Sequence, residues 1–233
     1  MQDRYVGDIG DFVKYRLLRK IRGDRELGVA WYLHPDGGPA GDGSHTAYLR
    51  DPDKWRQFDD DLFDVLGQLV PDRRSVANIQ ESGVLGEAVF ADERLDIAKV
   101  PVPDREDWRH DWFDRTKRKL AKCDLVFADP DNGLFPTARF NPRRKESAKR
   151  IPLDEAIALA EGRAAVIYHH NTRFKGGHVN EILCWKHHLP SGTLAYYWPR
   201  VSNRTFFIIN PDDDMRRRLH DFVGRPRDLG VLV

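Results

Sequence analysis

Residues 125–135, Leu-Val-Phe-Ala-Asp-Pro-Asp-Asn-Gly-Leu-Phe, carry the densest chemistry in this chain. An unbroken apolar run stops at Asp129, and Asp131 and Asn132 follow on a turn held by Pro130 and Gly133. Two carboxylates this close shift each other's ionisation, which suits acid–base work or stabilisation of a cation. The Asn132 carboxamide both gives and takes hydrogen bonds, as a group reading a base edge must. Two other apolar runs end in polar groups. One ends at His34-Pro35-Asp36, the other at His169-His170-Asn171, with Arg173 two residues on. On a strand His169 and His170 point to opposite faces, so one of them serves packing. His169 is read here as the one facing the site, where it would donate to a developing anion. No HExxH or CxxC spacing is present, and no metal site is expected.

The elements that must hold these groups follow from apolar spacing. Phe12, Val13, Leu17, Leu18 and Ile21 predict a helix over 11–23, capped by Asp8 or Asp11. Gly28–Leu33 predicts a buried strand, followed by a loop over 34–45 rich in glycine and proline. Trp55, Phe58, Leu62, Phe63, Val65, Leu66 and Leu69 predict one amphipathic helix. Glu87–Asp92 predicts a strand, and 107–122 a helix carrying Trp108, Trp112, Phe113 and Leu120. The strand ending at Asp129 comes next, then a helix opened by Pro152, the strand 164–170 and a helix over 179–188. Two strands joined at Ser202-Asn203 and a helix over 212–223 close the chain. Alternating strands and helices predict an α/β fold in three layers. It has a mostly parallel central sheet, helices on both faces, an antiparallel edge strand and one domain over 1–233. Ligands of such sheets bind at the carboxyl ends of the strands, where the three polar ends converge.

Composition bounds the partners. The chain has 233 residues, 40% hydrophobic and 32% charged, with a formal net charge of +1. It is therefore no polycation, and any nucleic-acid contact must come from local clustering of charge. Residues 139–150 provide that cluster, with six cations and one acid. Arg139, Arg143, Arg144, Lys145 and Lys149 are the expected phosphate contacts, extended by Lys117, Arg118, Lys119 and Lys122. Phe174, Tyr196, Tyr197 and Trp198 are candidates to stack a base, with core packing as the other use. Cys123 and Cys184 are too few for a disulfide framework and are read as reduced core residues. No signal segment or membrane-length apolar run is present. The expected location is cytoplasmic, with no membrane partner.

The motif order resembles the adenine-amine methyltransferases of large-subunit ribosomal RNA, single-domain enzymes of Rossmann-like fold. Their opening pattern is matched by Gly7-Asp8-Ile9-Gly10-Asp11-Phe12-Val13-Lys14, and their D-P-P-Y by Asp129-Pro130-Asp131-Asn132. A strand ending in aromatic and polar groups, here Tyr168 to His170, and a closing Asn210-Pro211 complete the likeness. It implies a base-sized pocket reached by Asp8, Asp11, Lys14 and Tyr168, and S-adenosylmethionine as cofactor. The departures fall on the chemistry. Asn132 replaces the stacking tyrosine, Asp131 replaces the second proline, and the 34–45 loop lacks a compact G-x-G turn into a helix.

The pair strand-D-P-x-N and strand-H-x-N is similar to the two active-site loops of the uracil-DNA glycosylase superfamily. It also resembles antiviral glycosylases that remove modified phage bases. That resemblance implies hydrolysis of a base–sugar bond without a cofactor. The expected function is a DNA glycosylase acting on a flipped, modified base such as a glucosylated hydroxymethylcytosine of phage DNA, leaving an abasic site. Its partner would be double-stranded DNA. Asp129 or Asp131 would assist water or the sugar cation, with Asp8 as a third candidate. Asn132 and Asn171 would orient the base, and His169 would steady the leaving group. Lys14 and Arg173 would bind phosphate or base, with Asp11, Asp36, Tyr168 and His170 also in contact. The alternatives are an S-adenosylmethionine-dependent methyltransferase on a base in RNA or DNA, and a non-catalytic binding module.

Overall fold

A computed structural model describes residues 1–35, 37, 43–72, 74–224 and 230–233. In chain order its elements are α1 (Ile9–Ile21), β1 (Leu27–Ala30), α2 (Pro52–Trp55), α3 (Asp60–Asp72), α4 (Val76–Glu81), β2 (Ala88–Ala91) and α5 (Arg105–Lys119). Then come β3 (Leu125–Ala128), β4 (Gly133–Phe135), β5 (Arg150–Pro152), α6 (Leu153–Leu159), β6 (Ala164–His170) and α7 (Gly177–His188). β7 (Leu194–Trp198), β8 (Arg204–Ile209), α8 (Asp213–Val223) and β9 (Val231–Leu232) complete the order.

The main sheet has seven strands in the order β2-β1-β3-β6-β8-β7-β9. β2, β1, β3 and β6 run parallel, while β8, β7 and β9 each pair antiparallel with their neighbours. The antiparallel part is thus a block of three strands rather than one edge strand. β1 and β3 are buried at every position, as strands covered on both faces must be, which is why they read as continuous apolar runs. One core packs α1, α3, α4 and α8 on one face, around Phe12, Leu17, Trp31, Phe127 and Phe206. The other packs α5, α6 and α7 on the opposite face, around Tyr32, Trp112, Val126, Ile167 and Phe207. The expected three-layer α/β fold is what is found.

Three expectations need correction. β1 ends at Ala30 rather than Leu33, because Tyr32 adopts a φ of 45° and leaves the ladder. The helix expected across 55–69 is broken at Asp59, which is extended at φ −168° and whose carboxylate accepts from Leu62 N at 3.2 Å. Cys123 is buried as expected, but Cys184 lies on the outward side of α7 and is exposed. Of the four aromatic candidates, Tyr196 and Trp198 take the expected core-packing use, at 1% exposed each. The short parallel pair β4–β5 was not foreseen; it folds the basic segment back beside the Asp129–Asn132 turn.

Candidate active site

The carboxyl ends of β3 and β6, the first turns of α1 and the start of β8 surround a cavity of about 220 Å³. Its walls include Asp8, Asp11, Lys14, Asp129, Asp131, Asn132, Tyr168, His170 and Arg204. Each group arrives by a simple local device. Asp8 caps α1, accepting from Gly10 N at 2.8 Å. Asp11 and Lys14 follow one turn apart on the same helix face. Asp129 is the first residue beyond β3, and its amide still donates to Ala30 O of β1 at 3.0 Å.

The ion pairs sort the acids. Lys14 Nζ lies 2.8 Å from Asp11 Oδ1 and 2.6 Å from Asp129 Oδ2. Burial alone would neutralise this amine, but the two carboxylates hold its pKa above the ordinary lysine value, so it stays an ammonium. Asp11 spends its second oxygen on Gly7 N at 3.1 Å. Asp131 is held more tightly. Its oxygens meet the Met1 amino group at 2.7 Å, Gln2 Nε2 at 2.6 Å and His34 Nε2 at 2.7 Å. Burial pushes its carboxyl up, but the Met1 and His34 partners outweigh it and hold the group well below the usual range. Asp129 moves the other way: burial pushes its carboxyl up more strongly than Lys14 draws it down. Only Oδ2 of Asp129 is engaged; Oδ1 has no partner among the described residues. The Asn132 side chain, half-buried on the cavity wall, likewise has no hydrogen bond among the described residues. Burial lifts the Tyr168 phenol to about 12, so at neutral pH it is a hydrogen-bond donor.

The histidine pair is placed contrary to expectation. His169 is 1% exposed and lies on the far side of β6 from the cavity wall formed by Tyr168 and His170. Its Nδ1 accepts from Leu134 N at 3.1 Å, so Nε2 carries the proton toward Glu181 Oε1 at 3.2 Å. Asn171 belongs to the same buried network, donating to Glu181 at 3.2 Å and accepting from Thr205 at 2.8 Å. Burial raises the Glu181 carboxyl, but its bonds from His169 and Thr172 dominate and bring it down to about 2. His169 and Asn171 therefore hold the start of α7 to β6, and the pocket-facing member of the pair is His170. Arg173 sits exposed in the loop after β6. Asp36 lies outside the described residues.

The basic segment is fastened beside the site. Asn132 N donates to Lys149 O at 2.8 Å. Buried Arg109 reaches Ser147 O and Arg150 O at 3.3 Å each and pairs with Glu155 at 2.8 Å. Arg139, Arg143, Arg144 and Lys145 are exposed, while Lys149 is half-buried. Sequence reasoning brought His34 to the cleft without giving it a role, and missed Gln2, His45, Ser202 and Arg204. His34 was visible as a strand-end polar group. Arg204 announced itself only as a lone charge inside an apolar strand, "RTFFII".

Just beyond β1 the Met1 amino group binds Tyr32 O at 3.1 Å, and His34 is tied to Asp131. Residues 36 and 38–42 of the loop expected to differ from a donor-binding turn lie outside the described residues. Among the described residues, helical structure after β1 resumes at Ala47. Among the described residues no three His, Cys, Asp or Glu side chains gather as a metal site would require. No described helix is long and apolar enough to cross a membrane. No protein-family model matches the chain, and no curated protein matches it.

Proposed function

We propose that this protein is a DNA glycosylase that hydrolyses the bond between deoxyribose and a flipped, modified base. The observation that carries the reading is Asp129. It is a buried carboxylate at a strand end, with one oxygen anchored on Lys14 and the other left for a ligand on a cavity wall. Its raised proton affinity suits a general base better than the locked, acid-shifted Asp131. In the proposed step a water oxygen bonds to C1′ and its proton passes to Asp129. The C1′–N bond breaks with its electron pair leaving on the base. The Tyr168 hydroxyl donates a hydrogen bond to the departing base, which takes its proton from solvent water. The sugar passes through an oxocarbenium-like state that the Asp129 charge stabilises. Asn132 reads the base edge, while Asp8, Asp11 and Asp131 hold the walls in place. Arg139, Arg143, Arg144 and Lys145 supply phosphate contacts on duplex DNA. No cofactor takes part.

The test is incubation with duplexes carrying cytosine, 5-hydroxymethylcytosine or glucosylated 5-hydroxymethylcytosine, scoring abasic sites by alkaline cleavage and free base by mass spectrometry. Release from a modified substrate is expected, with Asp129→Asn slowing it by about 100-fold or more. Absence of abasic product from every substrate removes the reading. Calorimetric binding of S-adenosylmethionine with methyl transfer would put the methyltransferase in its place.

A further inference from the structure

Tyr32 holds a backbone conformation that its side chain does not favour. It is the second residue beyond β1, is fully buried and has a φ of 45°. Glycine or asparagine takes that conformation with little strain, whereas a bulky side chain does not. Such strain persists only where the surroundings over-determine it, so the reason for a tyrosine lies in what its side chain reaches.

It reaches the support of the basic segment. The Tyr32 hydroxyl donates to Glu155 Oε2 at 2.8 Å, and its ring meets Trp112 edge-on with centres 5.0 Å apart. Burial and the Glu155 charge push the phenol well above its ordinary pKa, so it keeps its proton and remains the donor. Glu155 also accepts both arms of Arg109, from Nε at 3.0 Å and from Nη2 at 2.8 Å. The Arg109 guanidinium lies 5.4 Å from the centre of the Tyr32 ring and 5.3 Å from that of Phe140, and it donates to the carbonyls of Ser147 and Arg150. The Tyr32 side chain thus ends in the buried frame on which the basic segment is laid.

Its backbone leads to the acids. The left-handed step at Tyr32 turns the chain out of the ladder, and two residues on His34 Nε2 lies 2.7 Å from Asp131 Oδ2. On the other side of the turn Asn132 N donates to Lys149 O at 2.8 Å. The Asp129–Asn132 turn is therefore joined to the basic segment by two routes, one direct and one through Tyr32. One tether would let the turn pivot; two fix its orientation against the segment.

We propose that Tyr32 is a positioning residue that couples the seating of DNA phosphates on the basic segment to the placement of the Asp129–Asn132 turn. Contact energy from phosphates remote from the reacting bond then raises kcat rather than affinity alone. The inference rests on the base-excision reading and adds how duplex binding reaches the reacting groups.

The experiment uses the full chain and two readouts. The first is hydrogen exchange of the Asn132 amide with and without an unmodified duplex. Wild type is expected to slow that exchange by about tenfold on binding. Tyr32→Phe, which removes only the hydroxyl, is expected to bind the duplex as tightly and to lose the slowing. The second is a double-mutant cycle on release of a modified base. Tyr32→Phe is expected to lower kcat by about tenfold with little change in KM. In a chain already carrying Arg143→Ala, Arg144→Ala and Lys145→Ala, it should lower kcat by about twofold or less, because little is left to transmit. Glu155→Gln, which keeps an acceptor for Tyr32 but weakens the hold on Arg109, should behave as Tyr32→Phe does. A merely structural role predicts the same factor in both backgrounds. Equal factors, or slowing at Asn132 that survives Tyr32→Phe, would remove the coupling and leave the glycosylase reading in place. If wild type releases no base from any substrate, the glycosylase reading falls, and the exchange measurement alone decides the coupling.

Discussion

Asp129 and Asp131 sit two positions apart yet differ in state, because their neighbours differ. Asp131 meets cations and donors on both oxygens, whereas the Asp129 carboxylate is hydrogen-bonded by Lys14 alone among the described residues, through one of its oxygens. A base whose proton affinity is raised must lose its proton before it can act. The acid limb of kcat/KM for base release is therefore expected above the ordinary carboxylate value of 3.8. Lys14→Gln removes the charge that favours the carboxylate, so that limb should move to still higher pH in a pH–rate profile. A downward move would contradict the pairing. Lys14 is also held as an ammonium, without the lone pair that attacks C1′. Borohydride should therefore trap no covalent adduct with DNA through Lys14, and peptide mapping of the reaction checks this. The buried pair His169–Glu181 serves stability instead. A carboxyl lowered in the folded state contributes stability above its unfolded pKa, and that contribution fades as pH falls from about 4.5 through about 2. Glu181→Gln is expected to lose about 1–3 kcal/mol at pH 7 by urea denaturation. Its penalty should shrink in acid.

Two elements put the chemistry in place by close approach. The turn into β4 passes so near β6 that a Cβ on Gly133, at φ +81°, would lie 2.5 Å from His169 Cα. Gly133→Ala is therefore expected to destabilise the fold by about 2 kcal/mol or more, read as a lower urea midpoint. The same proximity lets Leu134 N hold the His169 ring, so β4 both shapes the Asn132 turn and fixes the neighbouring strand. The basic segment is ordered from below by Arg105 and Arg109, whose buried guanidinium groups bind the carbonyls of Arg143, Ser147 and Arg150. Arg139, Arg143, Arg144 and Lys145 are left facing outward. Replacing Arg143, Arg144 and Lys145 by alanine should flatten the dependence of log K on log salt for duplex DNA, by about 0.9 for each phosphate no longer neutralised. The fold should be untouched. An unchanged slope would place the DNA elsewhere.

At the scale of the molecule, the two apolar cores share one sheet: Phe127 and Val166 face one, Val126 and Ile167 the other. Neither core survives loss of the strands, so a single cooperative urea transition is expected with tryptophan fluorescence and circular dichroism coinciding. The same sheet explains how far the sequence could be read. β1, β3 and β6 were legible as unbroken apolar runs because strands covered on both faces need apolar side chains at every position. The polar residues that stop those runs were legible as one cleft because parallel strands end at the same edge. Alternation along a strand also required that one of His169 and His170 face away. Which one it is depends on what covers each face of β6, and that is set by α7 and the β4 turn, distant in the chain. In the same way nothing near Asp131 in sequence reveals that it is locked, for its partners Gln2 and His34 are 129 and 97 positions away. Local pattern was enough to announce the acids and their strand ends, because backbone periodicity is local. Which acid is left able to take a proton was set by folding, because ionisation depends on charges and burial that only long-range contacts supply.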